Sequence, residues 1–254
     1  MTTSLAERER EESKATEQPS LAISGQQEQL DKSGTIGRLK YVICGLASAV
    51  LMAAAWQNWI PTSFTEAFGF ATGAFCVLLT VDARIANFPV GLANNIFLFI
   101  VFLEARLYAD MSLQVVFFIL GVIGWWSWLY GDPNHTRLTI TRTRRWEWII
   151  LPPLVVVLTC GVSLLLARLG DAAPVRDAAT TVLSIAAQYL LNRKRLEHWW
   201  VWILVDVISV QLYVDRAIYL TAALYVLFLC LCVWGLWQWR RTPAASKVDS
   251  GGPA

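Results

Sequence analysis

The chain has 254 residues, of which 56% are hydrophobic and only 16% charged, with 13 tryptophans and a mean hydropathy of +0.48. A soluble domain carries about 25% charged residues, so this composition cannot cover a water-exposed fold and specifies an integral membrane protein. The formal net charge of +2 provides no basic field for nucleic acid, which leaves the placement of the 21 Lys and Arg residues as the informative quantity.

Residues 1–37 hold seven acidic and four basic side chains among Ser, Thr and Gln. Too little there is apolar to offset chain entropy, so the segment reads as a disordered cytoplasmic tail. Its acidic start and the lack of an apolar stretch behind it do not fit a signal peptide. Eight apolar segments follow, each near the ~20 residues a helix needs to cross a bilayer. They are predicted at residues 39–57, 64–82, 88–105, 110–130, 147–168, 175–192, 199–214 and 217–239. Every backbone polar group in lipid must be bonded within the protein, and no ten-residue alternation of a barrel is present. The expected fold class is therefore all-α, with eight transmembrane helices. The last residues, 241–254, are small and polar and read as a second disordered cytoplasmic tail.

Basic residues orient the spans. An even number of spans puts both termini on one side, and that side holds thirteen Lys and Arg residues, from Arg38 to Lys247, against four opposite (Arg106, Arg168, Arg176 and Arg216). The expectation is a multi-pass membrane protein with both termini in the cytoplasm. Tryptophans 125, 126, 128, 146, 148, 234, 237 and 239 fall at inner ends of spans and read as interfacial anchors. The histidines, His135 and His198, fall at the cytoplasmic edge, where a solvated role is expected. The five cysteines are spaced for neither a disulfide framework nor zinc, and no metal or cofactor is expected.

A shift of 111 residues superposes one part of the chain on another. Tyr108 falls on Tyr219, Phe117 on Phe228, Gly124 on Gly235, Trp126 on Trp237, Trp128 on Trp239 and Arg84 on Arg195. One shift serves three successive spans, which predicts a duplication. The organisation that follows is a peripheral helix within residues 38–62, a three-helix unit over 63–130 and a basic loop with a linker helix over 131–172. A second three-helix unit then covers 173–240. Both units run in the same sense, and the single linker helix restores the correct side. Transporters use such parallel repeats, with the substrate between the halves near the midplane.

Ionisable and amide side chains deep in a span are functional candidates, because burying them is costly. Asp206 is the clearest, and Trp199, Trp202, Asp206, Ser209 and Tyr213 share one helical face. Aromatic rings around one carboxylate suit a flat, partly polar and positively charged ligand. Asn94 and Asn95 lie at the same depth in the third span, with Asn95 in the repeat position of Asp206. Thr181, Ser184, Gln188 and Asn192 form a polar stripe on the sixth span. Gln114 and Tyr225 are expected at an entrance. Glu66 and Asp177 open the first span of each unit and read as caps, while Gly69, Thr72 and Gly73 permit close packing.

Taken together, Glu66, Gly69, Thr72, Gly73 and Cys76, then Tyr108, Ala109, Asp110, Leu113 and Gln114, then Gly124, Trp125 and Trp126 resemble the PnuC family of bacterial vitamin transporters. The likeness continues through Glu197, Trp199, Trp202 and Asp206 and through Tyr219–Ala222 with Leu224 and Tyr225, and it covers roughly residues 56–240. It implies a SWEET-like parallel-repeat fold and uptake of nicotinamide riboside for NAD biosynthesis. Transport would be facilitated diffusion, with trapping by a separate cytoplasmic kinase. It carries over to Trp202 and Asp206 as vitamin contacts. Where this chain has Asp206 the riboside transporters often have an amide, so thiamine or riboflavin stays open as the vitamin. Proton coupling and a homo-oligomer also stay open. The expected partners are a small-molecule vitamin and the lipid bilayer.

Two other classes fit less well. A membrane enzyme would need converging His, Asp or Glu residues, and the carboxylates here are isolated in sequence. A retinal protein needs a lysine inside a span, yet Lys14, Lys32, Lys40, Lys194 and Lys247 all lie outside them. No phosphate-binding Gly-Lys-Ser/Thr loop is present.

Overall fold

The computed structural model describes residues 39–60, 62–104, 108–131, 138–170 and 173–241, and the chain divides into two units, residues 1–47 and 48–254. Both predicted tails, residues 1–37 and the stretch after Arg241, lie outside the described residues, as does His135. The structure is all-helical. The helices are α1 (Leu39–Trp56), α2 (Phe64–Val81), α3 (Asn87–Glu104), α4 (Tyr108–Tyr130), α5 (Arg145–Arg168), α6 (Pro174–Asn192), α7 (His198–Asp215) and α8 (Tyr219–Arg241). Each lies within about two residues of its predicted span.

Local chemistry starts several of them. Ser63 caps α2, accepting from the Glu66 amide at 3.2 Å while Glu66 Oε2 accepts from the Ser63 amide at 3.0 Å, which is a complete capping box. Pro174 opens α6, where its missing N–H goes unmissed. Asp177, expected as a cap, pairs instead with Arg216 at 2.9 Å, and Arg176 pairs with Asp215 beside it.

Packing closes a ring. Within residues 48–254, α2 packs on α3, α3 on α4, α4 on α6, α6 on α7, α7 on α8, and α8 back on α2, with α5 packed on α6 outside the ring. Six helices, α1 to α5 and α8, are long and apolar enough to cross a membrane. The two that fall short, α6 and α7, carry the polar side chains Ser184, Gln188, Asn192 and Asp206 toward the ring interior and are flanked by more apolar helices. They can therefore tolerate lower hydropathy.

Residue positions offset by 111 are matched throughout the ring. The bounds of α3 map onto those of α7, and those of α4 onto those of α8. Ala83 and Lys194 both adopt left-handed backbone, with φ of 50° and 51°. The Ala83 amide bonds the Thr80 carbonyl at 2.9 Å, and the Lys194 amide bonds the Leu191 carbonyl at 2.8 Å. Phe88 meets Trp128 edge-on at 5.0 Å, and Trp199 meets Trp239 edge-on at 5.6 Å.

Trp128 and Trp239 are not interfacial anchors. They are 1% and 2% exposed, at the centre of the inner core. The Trp128 indole N–H donates to the Leu191 carbonyl at 3.0 Å, closing the end of α6, and the Trp239 N–H donates to the Val81 carbonyl at 3.0 Å, closing the end of α2. Trp126, Trp148 and Trp237, by contrast, are exposed.

Gly235 faces the Trp199 ring, and Gly124 faces Phe88 and Asn192, so closely that a Cβ on either would collide with them; no atom lies within 4 Å of a Cβ built on Gly161. Gly124→Ala and Gly235→Ala should each lower stability by about 1–3 kcal/mol through overpacking. Gly161→Ala should change it by less than about 0.5 kcal/mol. Thermal unfolding of the purified variants checks this, and equal midpoints for all three would refute the packing.

Candidate functional site

The ring encloses a cavity of about 290 Å³ lined by residues of α2, α6, α7 and α8, including Thr80, Gln188, His198, Trp202, Asp206 and Tyr225. A second cavity of about 240 Å³ shares Gly73, Cys76, Thr80, Gln188 and Trp202 with the first and reaches Asn87, Gly91, Asn94 and Asn95 on α3. The two form one cleft bordered by both three-helix groups.

Asp206 is 4% exposed and its Oδ2 has no hydrogen-bond partner, with Cys232 of α8 beside the carboxyl group. A buried carboxylate oxygen left unbonded is costly unless a ligand or water meets it. Trp202 lies one turn toward the start of the helix and lines both cavities. Gln188 lines both as well, and its amide N–H donates to Asn192 Oδ1 at 3.0 Å. Asn192 in turn donates to the Leu120 carbonyl at 2.7 Å, which fixes the orientation of the stripe on α6. Thr72 donates to Asn94 Oδ1 at 2.8 Å, holding that amide at the α3 side of the cleft.

The remaining candidates divide. Trp199 lines the first cavity and is also a core residue, 1% exposed. Asn95 faces the second cavity and a separate 180 Å³ pocket between α3 and α4, and Gln114 lines that outer pocket. Tyr213 stacks on Tyr225 at 5.2 Å, and it is Tyr225 that lines the cleft.

His198 is a correction. The expected solvated edge residue is 0% exposed, lodged between Trp199 at 4.4 Å and Trp239 at 4.8 Å, and it lines the cavity. Its sequence signal was the spacing: His198, Trp202 and Asp206 fall at i, i+4 and i+8 and share one face. The basic run before it, Arg193 to Arg195, suggested water. Instead the Arg195 guanidinium forms a buried ion pair with Glu147 of α5, Nη2 donating to Oε1 at 3.1 Å and Nε lying 3.1 Å from Oε2. It also donates to Thr141 and to the Arg142 carbonyl, which ties the α4–α5 connection to the α6–α7 turn. Nearby, Glu197 accepts from the amide and hydroxyl of Thr143. At the matching place in the first half, Arg84 is exposed, 4.0 Å from Asp82.

Apolar helices of membrane-spanning length around an internal cleft with one buried carboxylate fit a multi-pass membrane transporter. The family described as nicotinamide mononucleotide transporter matches residues 63–241, and the chain belongs to it. The nicotinamide riboside transporter PnuC of Escherichia coli (strain K12) is 28% identical over 207 residues, covering 70% of this chain and 85% of that protein. The riboflavin/roseoflavin transporter RibM of Streptomyces davaonensis is 26% identical over 197 residues, covering 75% of this chain and 92% of that protein. The crystal structure of the vitamin B3 transporter PnuC shares the fold, with a TM-score of 0.60, 24% identity, and coverage of 78% of this chain and 90% of that one.

Removing one partner of a buried ion pair strands the other charge, so Glu147→Gln should destabilise the protein by about 3–5 kcal/mol. Arg84→Gln, at an exposed charge, should change stability by less than about 1 kcal/mol. Chemical unfolding in detergent measures both, and a neutral Glu147→Gln would refute the clamp.

Proposed function

We propose that this protein imports nicotinamide riboside by facilitated diffusion, with net uptake driven by phosphorylation in the cytoplasm by a separate kinase. The observation that carries this reading is the unpartnered Asp206 carboxylate oxygen in an aromatic-lined cleft inside the helix ring. The riboside is a flat ring with a permanent positive charge and several hydroxyl donors. Its ring stacks on Trp202, Asp206 takes the ribose hydroxyls and the charge, and Gln188 and Asn94 offer further polar contacts. Similarity to riboside transporters supports the same ligand.

The ring is read as two parallel three-helix repeats, α2–α4 and α6–α8, joined by α5, with all eight helices crossing the bilayer and both termini in the cytoplasm. The common offset of 111 in helix bounds, left-handed residues and turn hydrogen bonds supports the repeat. Rocking of one repeat against the other exposes the cleft to each side in turn. A reporter active only outside the cytoplasm should stay silent when fused at Ala254 and respond when inserted beside Gly170. Activity at Ala254 would overturn the orientation.

The likeness to RibM favours riboflavin as the second reading, and charge separates the two. Opposite charges about 4 Å apart at an effective dielectric near 20 attract by roughly 4 kcal/mol, much of it offset by stripping water from both. Asp206→Asn keeps the shape of the side chain and removes its charge. It should weaken binding of nicotinamide riboside by about tenfold or more, roughly 1.4 kcal/mol, and leave a neutral flavin little affected. Trp202→Ala should weaken either through lost stacking, by about 0.5–1.5 kcal/mol. Calorimetric titration of purified protein with nicotinamide riboside, thiamine and riboflavin checks this. Unaltered riboside binding by Asp206→Asn would refute charge recognition.

A further inference from the structure

His198 has two ring nitrogens with different fates. Nδ1 lies 2.6 Å from the Arg195 carbonyl oxygen, which can only accept, so Nδ1 carries the proton and donates it. Nε2 has no hydrogen-bond partner. In a fully buried imidazole with no carboxylate bonded to it the neutral ring is the stable form, and Nε2 is then a bare acceptor. The flanking Trp199 and Trp239 rings fix its direction, and the Arg195 carbonyl is itself held in place by the Glu147 clamp.

The position of this acceptor matters. His198 and Asp206 line the same cavity from one face of α7, eight residues apart, which is about 12 Å along the helix axis, with Trp202 midway. At the offset of 111, Asn87 occupies the place of His198 as the first residue of α3. Its Oδ1 is also buried without a partner, and it lines the adjoining cavity. The end of the cleft at the start of α7 therefore presents two bare acceptors, His198 Nε2 and Asn87 Oδ1, and one bare donor, the Trp199 indole N–H, while the far end of the His198 face presents the carboxylate.

We infer that His198 Nε2 is a specificity-determining contact that accepts a hydrogen bond from the carboxamide N–H of the ligand and so selects a pyridine carboxamide over the corresponding carboxylic acid. The inference rests on the riboside reading above. With the pyridinium ring on Trp202 and the ribose at Asp206, the carboxamide points toward the start of α7. A carboxylate there has no hydrogen to offer Nε2, whereas a carboxamide can donate to Nε2 and accept from the Trp199 indole N–H together. Sites built to bond an N–H reject analogues that lack it far more strongly than apolar pockets reject a change of size.

The test is equilibrium binding of nicotinamide riboside and of nicotinic acid riboside to the purified full-length protein in lipid nanodiscs. The parent should prefer the amide by about a hundredfold or more. In His198→Asn the side-chain amide N–H can replace Nδ1 against the Arg195 carbonyl while nothing replaces Nε2. This variant should lose about tenfold in affinity for the amide and most of its preference over the acid. His198→Gln puts a carbonyl oxygen near the place of Nε2 and should retain most of the preference. A parent that binds both ribosides equally overturns the inference, and this readout holds even if neither variant folds. A folded His198→Asn with parental preference overturns it as well while leaving the transport reading intact. A parent that binds neither riboside overturns the riboside reading and the inference together.

Discussion

Two indole N–H groups hold one end of the helix ring together. A helix ends with carbonyls that its own backbone cannot satisfy, and inside a membrane protein no water is on hand to do so. Trp239 of α8 donates to the Val81 carbonyl at the end of α2, and Trp128 of α4 adds a donor to the Leu191 carbonyl at the end of α6, which also accepts from the Lys194 amide. Each half thus completes a helix of the other, which is why α4 lies against α6 and α8 against α2 and the ring closes. The floor of the cleft is set by these two bonds, since His198 and Trp199 pack on Trp239, and Phe88 packs on Trp128.

The helices were legible because the length of an apolar run is dictated by the bilayer, and the offset of 111 was legible because bulky aromatics recur in register. What the indoles do was not. An aromatic residue at the end of an apolar segment has the same local pattern whether it faces headgroups or a carbonyl on a distant helix, and Trp126 and Trp128, two residues apart, take opposite roles. His198 was hidden for a related reason. A run of arginine and lysine reads as water, and only the return of α5, bringing Glu147 onto Arg195, converts that turn into a sealed interior. The outer candidates misled in a third way. Periodicity placed Tyr213 on the Asp206 face, but the position of Tyr225 on the next helix decides which ring meets the cleft.

The two halves share a backbone and differ in charge distribution. Arg195 is locked down by Glu147, and two ion pairs clasp α6 to α7 at their outer ends. The first half has exposed Arg84 at the inner end, and at the outer end Glu66 is used in its own capping box. The second half is therefore the more firmly bonded frame, and it is also the half that carries Trp202 and Asp206.

Gly91 stands at the offset position of Trp202, and both border the second cavity, where a Cβ on Gly91 would come within 3.3 Å of Cys76 Sγ. Where α7 projects a ring into the cavity, α3 presents bare backbone at the position 111 residues earlier. Corresponding positions on the two helices thus contribute opposite shapes to one cavity, a ring on α7 and a recess on α3.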